Sequence, residues 1–317
     1  MIMTLPGRSA ILAALLSAAL AFTAVPAAMA QDTHTVNADN GAIEVPVDPQ
    51  RVVTIGSATT PYIDTGGKMV GATELSASLF EKLTAEQQAA YRAATIVGTN
   101  VGDVDLEKLA SLKPDLILMY LHQADYDQIG RQLQAIAPTV FFDLRTDWDV
   151  AAAGMAEASN MMDSFNGQKR QVEQKIARIR DVYAGVIATK TFANANRWPS
   201  IEPGMFAIDK RGCPEIAEAE LGMDFPALPD NATFEMRSFE QIGELSAYDV
   251  ILYPVDIAGE VQISFLPMVE TNAWKALPAV KEGRALGVFC VTNSSYGAIW
   301  RYLDSLDSAL ATLSAAE

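Results

Sequence analysis

One short pattern occurs twice in this chain of 317 residues. Residues 106–118 and 239–252 align with one inserted residue, which pairs Glu107 with Glu240 and Asp115 with Asp249. In each copy apolar residues recur every three positions, which predicts a short helix with one buried face. A short apolar run then predicts a buried strand. The two copies lie much farther apart than solenoid repeats do, so the pattern predicts two similar lobes, with a chance match of two short stretches as the alternative.

The first 30 residues have the composition of an export signal. Their single charged residue is Arg8, an apolar stretch covers residues 10–25, and Ala28 and Ala30 fit a cleavage site. The apolar stretch is shorter than a usual membrane span. The sequence therefore predicts a cleaved signal peptide at residues 1–30 and a soluble, exported protein, with an uncleaved membrane anchor as the alternative.

The composition limits the choice of partners. The chain has 23 Lys and Arg residues against 39 Asp and Glu residues. This acidic excess disfavours nucleic acid and an anionic membrane surface as binding partners. The chain that follows the signal is long enough for two lobes with cores of their own.

Strands and helices alternate in both halves of the chain, which predicts an α/β fold. Each lobe is expected to contain a small, mostly parallel sheet wrapped by helices. Between the halves, residues 147–189 contain no proline and keep helical apolar spacing, which predicts a stiff helix of about 20 residues. We expect Gly167 to separate a first helix from this longer one. The predicted organisation is an N-terminal lobe at 31–150, an interlobe helical segment at 151–189 and a C-terminal lobe at 190–317.

Cys213 and Cys290 are the only cysteines of the chain. In an oxidising compartment they could form a disulfide. Cys290 also lies in an apolar, strand-like run, where a buried free thiol is equally natural. The sequence leaves both states open.

Candidate ligand-binding residues follow the predicted strands, because open α/β sheets bind ligands at the carboxyl ends of their strands. Arginine suits an anionic ligand, and aromatic rings supply flat apolar walls. We therefore expect a basic cleft in an acidic protein, although a surface ion pair or a core contact is the alternative for each residue. The candidates are Tyr62, Asn100, Tyr120, His122, Arg145, Trp148, Arg197, Trp198, Arg237 and Tyr296.

The chain offers little for catalysis or direct metal binding. Its two histidines are His34, in an expected disordered mature start, and His122, at a strand end. No His/Cys/Asp cluster has metal-ligand spacing, so we expect no resident metal and no cofactor. The hydrolase, nucleotide-binding and metalloprotease motifs are absent as well. The protein is therefore expected not to be an enzyme, with an exported hydrolase as the alternative class.

The order of these features resembles the ABC-transporter periplasmic substrate-binding proteins of the iron-siderophore, haem and cobalamin class, which have a single long interlobe helix. The resemblance implies a monomeric periplasmic receptor that holds a metal chelate between its lobes. A ferric siderophore is the preferred ligand, and haem, with His122 or a cleft tyrosine as axial ligand, or cobalamin are the alternatives. The stretches that carry the resemblance are residues 49–53, 70–71, 106–118, 136–138, 238–252 and 274–284.

The same resemblance gives the repeated glutamates a role. In this family one surface glutamate of each lobe docks onto a dimeric ABC permease in the inner membrane, and Glu107 and Glu240 match those positions. The alternative is that each is simply favoured in a first helical turn by the helix dipole. Arg197 and Arg237 resemble family positions at which arginines face catecholate ligands.

Overall fold

The computed structural model describes residues 32–291 and 295–314, and the predicted signal peptide lies outside them. Within these ranges the strands are β1 (Thr33–Ala38), β2 (Gly41–Pro46), β3 (Val52–Gly56), β4 (Met69–Thr73), β5 (Thr95–Gly98), β6 (Leu116–Leu121), β7 (Thr139–Asp143), β8 (Phe192–Asn196), β9 (Met205–Asp209), β10 (Phe234–Ser238), β11 (Val250–Val255) and β12 (Ala285–Phe289).

The helices of the same ranges are α1 (Thr59–Asp64), α2 (Ala77–Phe80), α3 (Ala85–Ala93), α4 (Leu106–Ser111), α5 (Gln123–Gln134), α6 (Trp148–Ala158), α7 (Met162–Val182), α8 (Ala184–Thr189), α9 (Cys213–Ile216), α10 (Leu266–Val269), α11 (Asn272–Ala276), α12 (Pro278–Lys281) and α13 (Tyr296–Ser314). A 3₁₀ helix covers Phe239–Ala247, and shorter turns of helix cover Val101–Asp103, Ala217–Leu221 and Pro229–Asn231. No helix in the described part of the chain is both long and apolar enough to cross a membrane.

Two five-stranded sheets form the centre of the described structure. The first has the strand order β5-β4-β3-β6-β7, with all neighbours parallel. The second has the order β10-β9-β8-β11-β12, in which β8, β11 and β12 are parallel while β9 and β10 run antiparallel. Apolar clusters cover both faces of each sheet. The predicted α/β fold is confirmed, and we call the two sheets with their helices the N-terminal and C-terminal lobes.

The repeated sequence is a structural repeat. In the first copy α4 leads into β6, and in the second the 3₁₀ helix Phe239–Ala247 leads into β11. β6 lies between β3 and β7, and β11 lies equivalently between β8 and β12. The inserted residue of the second copy accompanies the change from an α-helix to the tighter 3₁₀ helix.

The aspartate of each copy fixes the start of the neighbouring strand. Asp115 accepts hydrogen bonds from the backbone N–H groups of Gln50 and Arg51, at 2.8 Å each. Asp249 accepts from the backbone N–H and the hydroxyl of Thr191, at 2.9 Å each. Arg51 precedes β3 and Thr191 precedes β8, so both aspartates join the two central strands of their sheet. The backbone bonds to Thr191 lower the pKa of Asp249.

The segment between the lobes contains the predicted long helix, α7, which has 21 residues. The expected break at Gly167 is wrong, because Gly167 lies inside α7. The chain instead breaks between α6 and α7, where Asn160 has a φ of 58°. Asparagine tolerates this left-handed conformation better than most residues. Asn160 therefore allows the chain to turn between the two helices, the role that was expected of Gly167.

A hairpin of β1 and β2 precedes the first sheet and was not predicted. His34 lies in β1, and one of its ring nitrogens is 3.3 Å from the carbonyl oxygen of Glu157. Val36 and Val45 are fully buried, so the hairpin has one face packed against the lobe. The expectation that His34 belongs to a disordered segment is therefore wrong.

The two cysteines form a disulfide, with their Cα atoms 6.0 Å apart. Cys213 begins α9, and Cys290 follows β12 directly. The bond therefore joins a helix to the end of a strand that is 77 residues away in sequence. It settles the question that the sequence left open.

Candidate functional site

A cavity of 960 Å³ lies between the two lobes. The N-terminal lobe contributes Ser78, Glu81 and Lys82, from α2 and the turn that follows it. The C-terminal lobe contributes the loop after β8, the ends of β11 and β12, and residues 256–264. Because both lobes form its walls, a ligand in this cavity would contact both of them.

A second cavity, of 480 Å³, lies at the carboxyl ends of the N-terminal strands. Gly56, Thr73 and Tyr120, at or near the ends of β3, β4 and β6, line it together with Asn100. The hydroxyl of Tyr120 donates to the carbonyl oxygen of Thr146 at 3.4 Å, and burial raises the pKa of Tyr120. The position of this cavity follows the general rule for open parallel sheets.

Four of the predicted site residues line these cavities. Tyr120 and Asn100 line the smaller one, and Arg197 and Trp198 line the larger one. The guanidinium of Arg197 is already engaged, since it donates to the carbonyl oxygens of three residues. They are Ser264 at 2.6 Å, Met205 at 3.1 Å and Ile201 at 3.2 Å. Arg197 therefore fixes the loops of the cavity wall.

Arg237 and Arg145 line neither cavity and form ion pairs instead. Arg237 pairs with Glu235 and, at 3.1 Å, with Glu244. Arg145 pairs with Asp143 at 2.8 Å, and its side chain is 79% exposed. Hydrogen bonds from Arg145 hold the pKa of Asp143 far below its usual range. Neither arginine therefore forms part of a cavity wall.

The other four predicted residues also lie outside both cavities. Tyr62 is buried in the core of the N-terminal lobe, and burial raises its pKa to about 12. Trp148 and Tyr296 pack edge to face, with ring centroids 5.0 Å apart. His122 is exposed where α5 begins. The structure therefore brings no histidine to the cavities that could serve as a haem ligand.

Arg211 is a residue of the larger cavity that the sequence analysis missed. Its Nε and Nη2 donate to the carboxylate of Asp209 at 2.8 and 3.0 Å. Its guanidinium carbon lies 4.0 Å from the ring centroid of Phe234 and 5.2 Å from that of Trp198. This arrangement is a cation–π contact that holds the arginine against an aromatic wall. The spacing Asp-x-Arg, shared with Asp143 and Arg145, was the available signal.

Lys82 is a second residue that was missed, because it follows a short helix and not a strand. It lines the larger cavity from the N-terminal lobe. Within the described residues no side chain pairs with its ammonium group. Burial lowers the pKa of Lys82, since desolvation disfavours its charged form. Because its ammonium group is unpaired among the described residues, a ligand oxygen could approach Lys82 directly.

The charges that line the larger cavity balance, so the predicted basic cleft is wrong. Three cationic and three anionic side chains line it, and two further acidic side chains line the smaller cavity. Apolar and uncharged polar side chains line the rest of the opening, and the apolar ones include Ile263, which is 86% exposed. The charged residues of the larger cavity are Lys82, Arg197, Arg211, Glu81, Asp209 and Asp256, and those of the smaller one are Glu74 and Asp125.

Glu107 and Glu240 are both exposed, one in each lobe. Glu107 is in the first turn of α4, and Glu240 is in the first turn of the 3₁₀ helix Phe239–Ala247. Within the described residues neither carboxylate has a side-chain partner. The same residues contain no group of three His, Cys, Asp or Glu side chains that could hold a metal ion.

Comparison with known proteins assigns the chain to a family. The model of a family described as periplasmic binding protein matches residues 73–286, and the chain belongs to this family. The iron(3+)-hydroxamate-binding protein FhuD of Bacillus subtilis is 33% identical over 262 residues, which cover 80% of this chain and 78% of FhuD.

Solved structures share the fold. A siderophore periplasmic binding protein from the fuscachelin gene cluster of Thermobifida fusca has a TM-score of 0.72 at 25% identity, and the match covers 84% of this chain and 98% of that one. SirA of Staphylococcus aureus, complexed with staphyloferrin B, has a TM-score of 0.61 at 20% identity, with 88% and 99% covered.

Proposed function

We propose that this protein is a periplasmic receptor that binds a ferric siderophore between its lobes and delivers it to an inner-membrane ABC permease. The observation that carries the proposal is the cavity of 960 Å³ to which both lobes contribute. Its volume is typical of small-molecule sites. Membership of the periplasmic binding protein family and the likeness to siderophore-binding proteins support the same ligand class.

We propose a hydroxamate as the class of chelate. Three singly charged hydroxamate groups neutralise a ferric ion, whereas three catecholates leave the complex strongly anionic. The balanced charge of the cavity lining favours the neutral complex, because an anionic complex would lose hydration without gaining a net positive surface. The similarity to FhuD, an iron(3+)-hydroxamate-binding protein, supports this choice. The iron is cargo and keeps its chelator as ligand.

Three residues of the larger cavity are given roles in this proposal. Trp198 and Arg211 form a flat wall against which the chelate packs. Lys82 approaches from the other lobe and donates to a hydroxamate oxygen. A chelate that engages all three would bridge the two lobes.

A fluorescence titration tests the proposed ligand class. The mature protein is titrated with ferric trihydroxamate, ferric catecholate, ferric citrate, haem and cobalamin, and tryptophan emission is recorded. We expect saturable quenching by the trihydroxamate at the lowest concentrations, and recovery of the chelate chemically unchanged. A lack of quenching by all five would refute the chelate receptor, and tighter binding of the catecholate would refute the hydroxamate assignment.

A charge reversal tests the proposed docking to a permease. In cells that depend on this receptor, the double variant Glu107→Lys and Glu240→Lys should abolish uptake of the ferric chelate. Binding of the chelate by the purified variant should be unchanged, because neither residue lines the cavities. The matched control is the double variant Glu86→Lys and Glu215→Lys.

The control residues are also glutamates in the first turn of a helix, one in each lobe. They interact with the helix dipole as Glu107 and Glu240 do, but they lie outside the repeated pattern. Uptake that survives the first double reversal, or that both reversals abolish equally, would contradict the docking assignment.

We further propose that the protein reaches the periplasm through cleavage after Ala30. Sequencing of the amino terminus of the periplasmic protein should give Gln31 as the first residue. A chain that retains residues 1–30 and remains with the membrane fraction would show an uncleaved anchor instead.

A further inference from the structure

Two asparagine side chains project into an otherwise apolar layer of the C-terminal lobe. Asn194 and Asn196 alternate along β8 with Ala193 and Ala195. The two alanines belong to the core on one face of the sheet, so the asparagines point to the opposite face, where α13 packs. Both asparagines line the larger cavity, which therefore extends from the opening between the lobes toward α13.

Tyr302 of α13 lines the same inner part of the cavity. The residue is only 2% exposed, and its hydroxyl has no hydrogen-bond partner among the described residues. Burial raises the pKa of Tyr302, so the hydroxyl stays protonated and can donate. A buried hydroxyl without a partner is unfavourable, and this one belongs to a residue that lines the cavity, so a small movement of the wall would let a ligand atom satisfy it.

The inner part of the cavity carries no free charge. Asp209 is the buried carboxylate of the lining, and Arg211 and Asn196 both donate to it. Glu81 and Asp256 are exposed, so they lie toward solvent. A charged group that entered this layer would lose its hydration and find no counter-ion. An uncharged polar group would find Asn194 and Tyr302 as partners.

We propose that this inner part of the larger cavity is a subsite for an uncharged polar arm of the bound chelate, such as an amide-bearing chain. The hydroxyl of Tyr302 donates to the carbonyl oxygen of the arm, and the carboxamide oxygen of Asn194 accepts from its N–H. Leu252 and Val288 contact the methylene groups. The proposal rests on the proposed function, because it assigns one part of that site to one part of the ligand.

Three ferric trihydroxamates test the subsite, and all share the same iron-binding groups. The first is linear with an N-acetylated amine arm, the second is linear with the free ammonium arm, and the third is cyclic and has no arm. Wild-type protein should bind the acetylated complex more tightly than the ammonium complex. In Tyr302→Phe the affinity for the acetylated complex should fall about 3- to 10-fold, the effect of one hydrogen bond. Its affinity for the cyclic complex should stay within about twofold.

The matched control is Tyr183→Phe, because the hydroxyl of Tyr183 donates to Asp307 and lies outside the cavity. This variant should bind all three complexes as wild type does. Asn194→Ala provides a second variant at the subsite if Tyr302→Phe does not fold. Equal affinity changes for the acetylated and cyclic complexes, or no change, would overturn the subsite while leaving the proposed function intact. Failure of wild type to bind any trihydroxamate would overturn both.

Discussion

The two lobes have the same arrangement of central strands but differ in the strands that surround them. In each lobe an aspartate of the repeat holds the start of the neighbouring central strand, through Asp115 in one and Asp249 in the other. Outside these strands the N-terminal sheet is wholly parallel, whereas the C-terminal sheet has two antiparallel strands and a disulfide. Most of the lining of the larger cavity comes from the lobe that departs from the parallel pattern. The centres of the two lobes are therefore alike, while the strands around them differ and form most of the wall of the larger cavity in the C-terminal lobe.

The helix between the lobes is also held unequally. Lys175 and Arg178 of α7 pair with Asp307 of α13, which belongs to the C-terminal lobe. Toward the N-terminal lobe, α7 donates from the side chain of Gln168 to the carbonyl oxygen of Asp64. The charged contacts therefore join α7 to the C-terminal lobe, and an uncharged one joins it to the other.

The largest expected effect comes from removing the disulfide, which only the C-terminal lobe has. The double variant Cys213→Ser and Cys290→Ser opens a loop of 77 residues. The chain-entropy model then predicts a loss of about 4 kcal/mol in the free energy of unfolding. Urea unfolding followed by tryptophan fluorescence measures this loss, because Trp198, Trp274 and Trp300 lie in that lobe.

Reduced wild-type protein is the control for the disulfide experiment and should match the double variant. A variant that unfolds at the same urea concentration as oxidised wild type would contradict the expectation. It would show that the disulfide contributes little to the stability of the C-terminal lobe.

The second prediction tests whether the repeated aspartates are equivalent. Asp115→Ala and Asp249→Ala each remove two hydrogen bonds to a carboxylate that join neighbouring strands. We expect each variant to lose about 2 kcal/mol of unfolding free energy, since hydrogen bonds to charged groups contribute more than neutral ones. Chemical denaturation measures both losses, and Asp105→Ala, which removes only the cap of α4, is the smaller control. A loss of unfolding free energy in only one of the two aspartate variants would show that the aspartate stabilises the strand contact in one lobe and not in the other.

The centre of the fold was predictable because its signals are local. Apolar spacing around Leu109 and Ile242 marked both copies of the repeat, and both residues are fully buried. The β1–β2 hairpin and β10 were missed because their burial patterns are weaker and their packing comes from distant parts of the chain. The break at Asn160 was missed because asparagine signals a left-handed residue less clearly than glycine does.

The candidate site was predictable only in part. Of the residues chosen by type and position, Arg197, Trp198, Tyr120 and Asn100 line the two cavities. The same criteria could not show that the guanidinium of Arg197 is occupied by carbonyl oxygens, because those come from other loops. Pairing between charges depends on tertiary neighbours, and so the net charge of a cleft cannot be read from its arginines alone.

The third prediction separates two arginines that have the same local contact. Arg145 and Arg211 each donate to the aspartate two residues earlier, yet only Arg211 lines the larger cavity. Arg211→Ala should lower the affinity for a ferric trihydroxamate about 10-fold, which corresponds to about 1.4 kcal/mol. Arg145→Ala is the matched control and should bind as wild type does. Isothermal titration calorimetry measures both, and an equal loss in the two variants would contradict the assignment of the cavity.

The smallest expected effect concerns the ionic contact that joins α7 to the C-terminal lobe. Burial alone would raise the pKa of Asp307, but hydrogen bonds from Arg178, Lys175 and Tyr183 hold the pKa at about 2. A carboxylate whose pKa is lowered by folding stabilises the native state above its unfolded pKa, near 3.9, and loses this contribution as the pH falls toward 2.

Asp307→Asn should therefore lower the unfolding free energy at pH 7 by roughly 1 kcal/mol, after allowance for solvent screening. The gap between wild type and variant should narrow as the pH falls from about 4 toward 2, because the carboxylate is protonated in the unfolded wild-type chain while it is still ionised in the folded one. Urea unfolding at several pH values measures this gap, and Gln168→Ala, on the uncharged contact to the N-terminal lobe, is the control whose effect should not change with pH. A gap that stays constant from pH 7 down to pH 3 would show that the charge of Asp307 does not hold α7, and that apolar packing against α13 suffices.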